Sequence, residues 1–229
     1  MESAICRPTE SDFRLIETFR FDPGTGFHDL SRHLHRMEQS AAVFEIAFVR
    51  RGIEAELAAY NAEETMRCRL TLDAQGQSAM TSAPLGKPPQ RWAVAVSPVR
   101  LKSNDPWLRH KTTRREVYDS ARRDMPAGID ELLFLNERDE ICEGTITSVF
   151  VTLRDGSCVT PPLTSGCLPG ILRQSLLDEN RVREQAVTMS DLRDARSISV
   201  GNSLRGEIAV DYLDTCNPPS AAQPLDPIP

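Results

Sequence analysis

Apolar positions recur along this chain in two rhythms, one of period two and one near 3.6, separated by turn residues. Residues 13–21, FRLIETFRF, alternate as a half-buried strand does, and Asp22-Pro23-Gly24-Thr25-Gly26 supplies the turn that ends it. From Leu30 the spacing changes. Leu30, Leu34, Met37, Ala41 and Phe44 fall at helical spacing, with Asp29 or Ser31 available as N-cap. A second helix is predicted over Ile53–Asn61, after Gly52. MRCRLTLD and SAMTSAPL flank Ala74-Gln75-Gly76-Gln77 as a hairpin, and WAVAVSPV (92–99) reads as a further strand. Beyond Asn104-Asp105-Pro106 the pattern predicts a helix over Arg114–Arg123, the strand ELLFLN, a turn at Glu137–Glu140 and a single strand over Gly144–Leu153. Gly170-Ile171 opens a helix to Asp178, a short helix lies near Asp191, and the strand SISV leads into a loop from Gly201 to Gly206.

Strands and helices intermingle without a regular βαβ alternation, which predicts an α+β fold. The expected organisation is a small N-terminal α+β domain over 1–99 and a larger domain over 105–217, joined by a linker at 100–104. The proline-rich end, 218–229, is expected to be a disordered tail.

Composition narrows the function classes. The 229 residues suffice for one large domain or two small ones around a shared cleft, and 40% hydrophobic with 26% charged residues is an ordinary globular balance. A net charge of −6 argues against a nucleic-acid or anionic-membrane surface. No stretch approaches the roughly 20 apolar residues of a membrane span. The N-terminus MESAICRPTESDF lacks a signal-like apolar run, so a cytoplasmic location is expected. The six cysteines, at 6, 68, 142, 158, 167 and 216, contain no Cys-x-x-Cys pair and read as reduced and structural. No metal site is expected, because His33 and His35, the only neighbouring histidines, point to different helix faces.

Of 27 basic residues only Lys87, Lys102 and Lys111 are lysines. A coding bias toward arginine accounts for the scarcity; retention for chemistry is the competing account. Lys111, in His110-Lys111-Thr112-Thr113 beside Arg114 and Arg115, has the cationic neighbours that lower an amine's pKa and make it a nucleophile. Glu143 reads on its own as a surface hairpin charge, or as a carboxylate lying under a cofactor ring. Leu168-Pro169-Gly170-Ile171-Leu172-Arg173 and Gly201-Asn202-Ser203-Leu204-Arg205-Gly206 each offer backbone amides to an anion, one of them at a helix start. Neither matches a Walker loop or a dinucleotide fingerprint. By spacing alone Arg36 lies on a solvated helix face; its guanidinium also suits a phosphate.

Taken in order, these segments resemble the class IV aminotransferase family, the fold-type IV pyridoxal-phosphate enzymes, from about Leu15 to Val210. The resemblance is carried by Glu143-Gly-Thr-Ile-Thr-Ser-Val-Phe150, Thr160-Pro161 and Leu168-Pro-Gly-Ile-Leu-Arg173. Ser-Pro-Val-Arg-Leu (97–101) leading to His110-Lys111-Thr-Thr is similar to the aminodeoxychorismate lyase branch. Ser148 stands where the family usually has asparagine and Cys158 where it has an aliphatic residue, and the short segment before Leu15 is expected to lack the leading strands of many members.

The resemblance implies a two-domain fold with pyridoxal 5'-phosphate between the domains, held mainly by the larger one. Lys111 would hold the cofactor covalently and later move the proton. Glu143 would face the pyridine nitrogen. Arg36, Gly170 with the amides of Ile171 and Leu172, and Asn202 with Ser203 would hold the phosphate. Thr18 and Arg20 would line the substrate side, with Arg20 facing a carboxylate and the amides of Ser203 and Leu204 a second one. The implied partners are a small-molecule amino substrate and a second copy in a homodimer. The implied reaction is conversion of 4-amino-4-deoxychorismate to 4-aminobenzoate and pyruvate, a step toward folate. The alternative is transamination of branched-chain or D-amino acids.

Overall fold

The computed structural model describes residues 10, 12–87 and 89–212. The expected tail at 218–229, the end of the 105–217 unit, Cys6 and Cys216 lie outside the described residues. The first unit contains β1 (Arg14–Asp22), β2 (Gly26–Phe27), α1 (Leu30–Val43), α2 (Arg50–Ala58), β3 (Met66–Asp73) and β4 (Ser78–Pro84). Then come β5 (Arg91–Leu101), a 3₁₀ turn at Pro106–Arg109, α3 (Glu116–Arg123), β6 (Glu131–Asn136), β7 (Ile141–Gly144), β8 (Ser148–Thr152) and β9 (Cys158–Thr160). After a 3₁₀ turn at Leu163–Ser165 follow α4 (Ile171–Asp178), β10 (Arg183–Glu184), α5 (Met189–Asp194), β11 (Ser197–Asn202) and β12 (Gly206–Tyr212). No helix among the described residues is long and apolar enough to cross a membrane.

The strands form a four-stranded sheet, ordered β2-β1-β3-β4, and an eight-stranded mixed sheet, ordered β10-β9-β8-β11-β12-β5-β6-β7. Alternation along β1 sends Leu15, Phe19 and Phe21 into a core with Leu34, Met37, Ala41 and Phe44 from the first helical segment. A second core, with Val94, Leu133, Val149, Val151 and Val200, packs on the large sheet. The α+β expectation holds.

Four sequence expectations differ from the structure. Strand 92–99 was assigned to the 1–99 unit, but as part of β5 it pairs with β12 and β6 at the centre of the large sheet. A run buried on both faces carries no alternation to reveal its partners. The single strand Gly144–Leu153 is two, because the chain turns at 145–147 between β7 and β8. Asp29 does occupy the N-cap of α1, but with a left-handed backbone (φ 52°) and no side-chain cap bond. Gly52 lies inside α2 rather than before it.

Candidate active site

Lys111 follows the 3₁₀ turn at Pro106–Arg109 and lies on the seam between the sheets. Its carbonyl accepts from Ile16 N–H at 2.8 Å, and Thr113 N–H donates to the Arg14 carbonyl at 2.9 Å. Thr112 completes an antiparallel bridge to Leu15. The Lys111 side chain lines a cavity of about 580 Å³ shared by both sheets. No hydrogen-bond partner for its amine occurs among the described residues. Burial, then the charge of Arg36, lowers the amine from 10.5 to about 8.

On one side of Lys111, α1 and β1 build a buried ionic cluster. Glu17 accepts from Arg36 Nε at 2.8 Å and from Arg36 Nη2 at 2.6 Å, and lies 2.5 Å from His33 Nδ1. Arg36 Nη1 donates to the Pro169 carbonyl at 2.9 Å, reaching toward the start of α4. Burial opposes the Glu17 charge, but Arg36 and His33 outweigh it and lower the carboxyl to about 2. Arg36 is therefore not on a solvated face, as spacing alone suggested; it is buried and lines the cavity. Three residues separate it from His33, so both side chains meet the same strand carboxylate.

Across the cavity Glu143 is also buried, which corrects its reading as a surface hairpin charge. Its partners are neutral: Tyr118 O–H donates at 2.6 Å and Leu168 N–H at 3.0 Å. Burial dominates and raises its carboxyl above the ordinary value. The turn beside it is tied by a third buried carboxylate. Glu131 accepts from Thr145 N–H at 3.0 Å, from the Thr145 hydroxyl and from Thr147 Oγ1 at 2.9 Å. A side chain at Gly144 would collide with Thr147 and Glu131, so glycine is what lets both approach the backbone this closely.

Two backbone cradles face the same cavity. Gly170, Ile171, Asn202, Ser203 and Leu204 line it, and Leu172 does not. A Cβ at Gly170 would lie 2.5 Å from Ser148 Oγ, and one at Gly201 would lie 2.7 Å from Leu172 Cδ2. Leu172 thus packs beneath the second loop. The Asn202 side chain shapes that loop by accepting from Leu204 N–H at 3.1 Å and Arg205 N–H at 3.0 Å, and it donates to the Ile146 carbonyl at 3.1 Å. The Leu204 amide expected to take a carboxylate already has this acceptor.

Thr18 lines the cavity, but Arg20 does not. Its Nε donates to Asp22 at 2.7 Å near the turn that ends β1. The neighbouring strand supplies the cations instead, since Arg69 pairs across from Thr18 and Arg67 from Arg20, and both line the cavity. Sequence reasoning missed Glu17, Tyr118, Arg67 and Arg69. The signal for Glu17 was present: it shares the inward face of β1 with Leu15, Phe19 and Phe21, where a carboxylate requires a partner. Among the described residues no group of three histidine, cysteine or acidic side chains converges as a metal site would require.

The family model for amino-transferase class IV matches residues 14–212. The aminodeoxychorismate lyase of Saccharomyces cerevisiae is 32% identical over 133 residues, which are 50% of this chain and 35% of that protein. The chain thus spans about a third of that relative. A crystal structure from Mesorhizobium loti, provisionally described as an amino-acid aminotransferase, is 42% identical with a TM-score of 0.84, covering 88% of this chain and 100% of that one. The branched-chain amino acid aminotransferase of Escherichia coli shares the fold, with a TM-score of 0.73 at 21% identity over 89% of this chain and 78% of its own. With a family match across nearly all described residues, the chain belongs to the class IV aminotransferases, enzymes that use pyridoxal 5'-phosphate.

Proposed function

We propose that this enzyme is a lyase that converts 4-amino-4-deoxychorismate to 4-aminobenzoate and pyruvate. The observation that carries the cofactor reading is the Lys111 amine, lowered to about 8 and without a hydrogen-bond partner among the described residues, in one cavity with Glu143; the motifs at 97–101 and 110–113 favour the lyase. The residues fit the cofactor. The amine is available for covalent attachment, and glycines 170 and 201 leave backbone exposed where a Cβ would collide with its surroundings. Arg36, Gly170, the amide of Ile171, and Asn202 with Ser203 would hold the phosphate. When bound, pyridoxal 5'-phosphate supplies an electron-accepting ring that acidifies the carbon bearing the amino group.

Lys111 would hold the cofactor through its amine and, with the substrate amine bound, would take the proton from that carbon. Glu143, held by Tyr118 and the Leu168 amide, would keep the pyridine nitrogen protonated. Loss of the ring proton aromatises the six-membered ring as the enolpyruvyl C–O bond breaks, and the departing fragment takes up a proton to become pyruvate. The 97–101 and 110–113 motifs and the yeast relative support this reaction. Holoenzyme supplied with 4-amino-4-deoxychorismate should release pyruvate and 4-aminobenzoate in equal amounts; release of neither rejects the lyase assignment.

A second reading is transamination of branched-chain or D-amino acids; the Mesorhizobium loti relative, described as an amino-acid aminotransferase, favours the reaction type. It uses the same lysine and glutamate. Conversion of the bound cofactor to its amine form by simple amino acids, with a keto acid appearing, would select it. The proposal includes a homodimer whose partner closes the exposed side of the cavity, checked by the mass in solution.

A further inference from the structure

The cavity has more positive charge than cofactor attachment uses. Arg67 from β3, Arg122 from α3 and Arg205 from the loop between β11 and β12 come from three separate segments and line the same space as Lys111. Arg122 donates to Thr145 Oγ1 at 2.8 Å and lies 3.7 Å from Glu131, a carboxylate already saturated by the turn at 145–147. Arg67 and Arg205 have no carboxylate within 4 Å among the described residues. Arg205 is half-buried and packs over the Trp92 ring at 6.0 Å. All three guanidiniums line the one cavity, and burial, then the charges of Arg122 and Arg67, lower the pKa of Arg205. Converging cations in a partly desolvated wall are stabilised by an anion between them.

The geometry points to a distal anion subsite formed by Arg67, Arg122 and Arg205, which seats a second acid group of the amino substrate away from Lys111. The substrate class is thereby an amine carrying two acid groups, since a branched-chain side chain would leave these cations unmatched. The inference deepens the proposed function by assigning the site of one substrate carboxylate, and it applies equally to a transaminase of dicarboxylic amino acids.

Two unreactive probes test it on the holoenzyme: isophthalate, with two carboxylates, and benzoate, with one. Their binding is followed by the change in cofactor absorbance and by calorimetry. The wild type should bind isophthalate at least about tenfold more tightly, as one charge-assisted contact implies. Arg67→Gln and Arg205→Gln should each remove most of that preference with cofactor loading unchanged, and Arg67→Lys should restore part of it. Arg91→Gln, on the exposed pair with Asp211, should leave the preference intact. No preference in the wild type, or a preference surviving in both glutamine variants, overturns the subsite. Variants that dissociate the oligomer and weaken both probes alike also overturn it, by assigning the arginines to an interface between copies. Pyruvate release separates the two proposals. A wild type that prefers isophthalate but releases no pyruvate loses the lyase reading and keeps the subsite. Glutamine variants that release pyruvate with unchanged KM keep the lyase and lose the subsite.

Discussion

Two carboxylates flank Lys111, equally removed from water and opposite in behaviour. On the β1–α1 side Glu17 is lowered to about 2 because Arg36 and His33 surround it. On the β7 side Glu143 is raised by burial, which its neutral donors, a phenol and a backbone amide, offset only in part. Burial penalises both alike; the charge of the partner decides the sign. Glu17 is a fixed anion already spent on fixing Arg36, whereas Glu143 retains an unmatched preference for a cation. A protonated ring nitrogen would be such a cation, so under the proposed function Glu17 builds the site and Glu143 acts in it.

The sharpest way to break this contrast is Glu143→Gln. Without a carboxylate opposite the ring, turnover should fall about 10²–10⁴-fold, while the melting temperature of the cofactor-free protein changes little. A comparable loss of stability would return Glu143 to a structural role.

Glu17→Gln should do the reverse in the first instance. Removing one member of a buried ion pair costs about 3–5 kcal/mol, read by urea unfolding, and a loosened Arg36 should weaken cofactor retention. The pH dependence follows with opposite signs. Glu17 contributes stability that is complete above its ordinary value of 4.5 and is lost as pH falls toward about 2. Glu17→Gln should flatten that loss. Glu143, raised in the fold, binds its proton more tightly folded than unfolded, so its share of stability increases as pH falls.

Tyr118→Phe sharpens the Glu143 side. One carboxylate oxygen loses its 2.6 Å donor, at a cost of about 1–3 kcal/mol for a buried group left unsatisfied. Because that bond lowers Glu143, its removal should move the acid limb of the pH–rate profile upward. An unmoved limb would show that Tyr118 only fills space.

The smallest effect is expected at Arg20. Its pair with Asp22 is partly exposed, so Arg20→Gln should change stability by no more than about 1 kcal/mol and leave substrate KM unaltered. A large rise in KM would restore the carboxylate role suggested by its motif.

What the sequence made legible divides along similar lines. β1, α1, the β3–β4 hairpin and α4 carry a clear period or turn signal, and each lies within a few residues of its expected position. β9 and β12 escaped notice because three residues show no period and because Gly206 reads as loop. The break at 145–147 depends on Glu131, fourteen residues earlier, whose carboxylate holds the turn. Lys111, Glu143 and the two glycine loops were found through motif order, and the cavity does contain them. Arg20 and Arg67 illustrate the limit: they are register partners on adjacent strands, and only the packing decides which of them reaches the cavity.

The seam at Lys111 has a mechanical consequence. Ile16, Lys111 and Thr113 join the edge of the small sheet to the segment that carries the reactive amine. Prising the sheets apart would therefore tear the lysine from its backing, so ligands must exchange while this zipper stays closed. In deuterium exchange the Ile16 and Thr113 amides should remain among the slowest to open, and cofactor release should not hasten them.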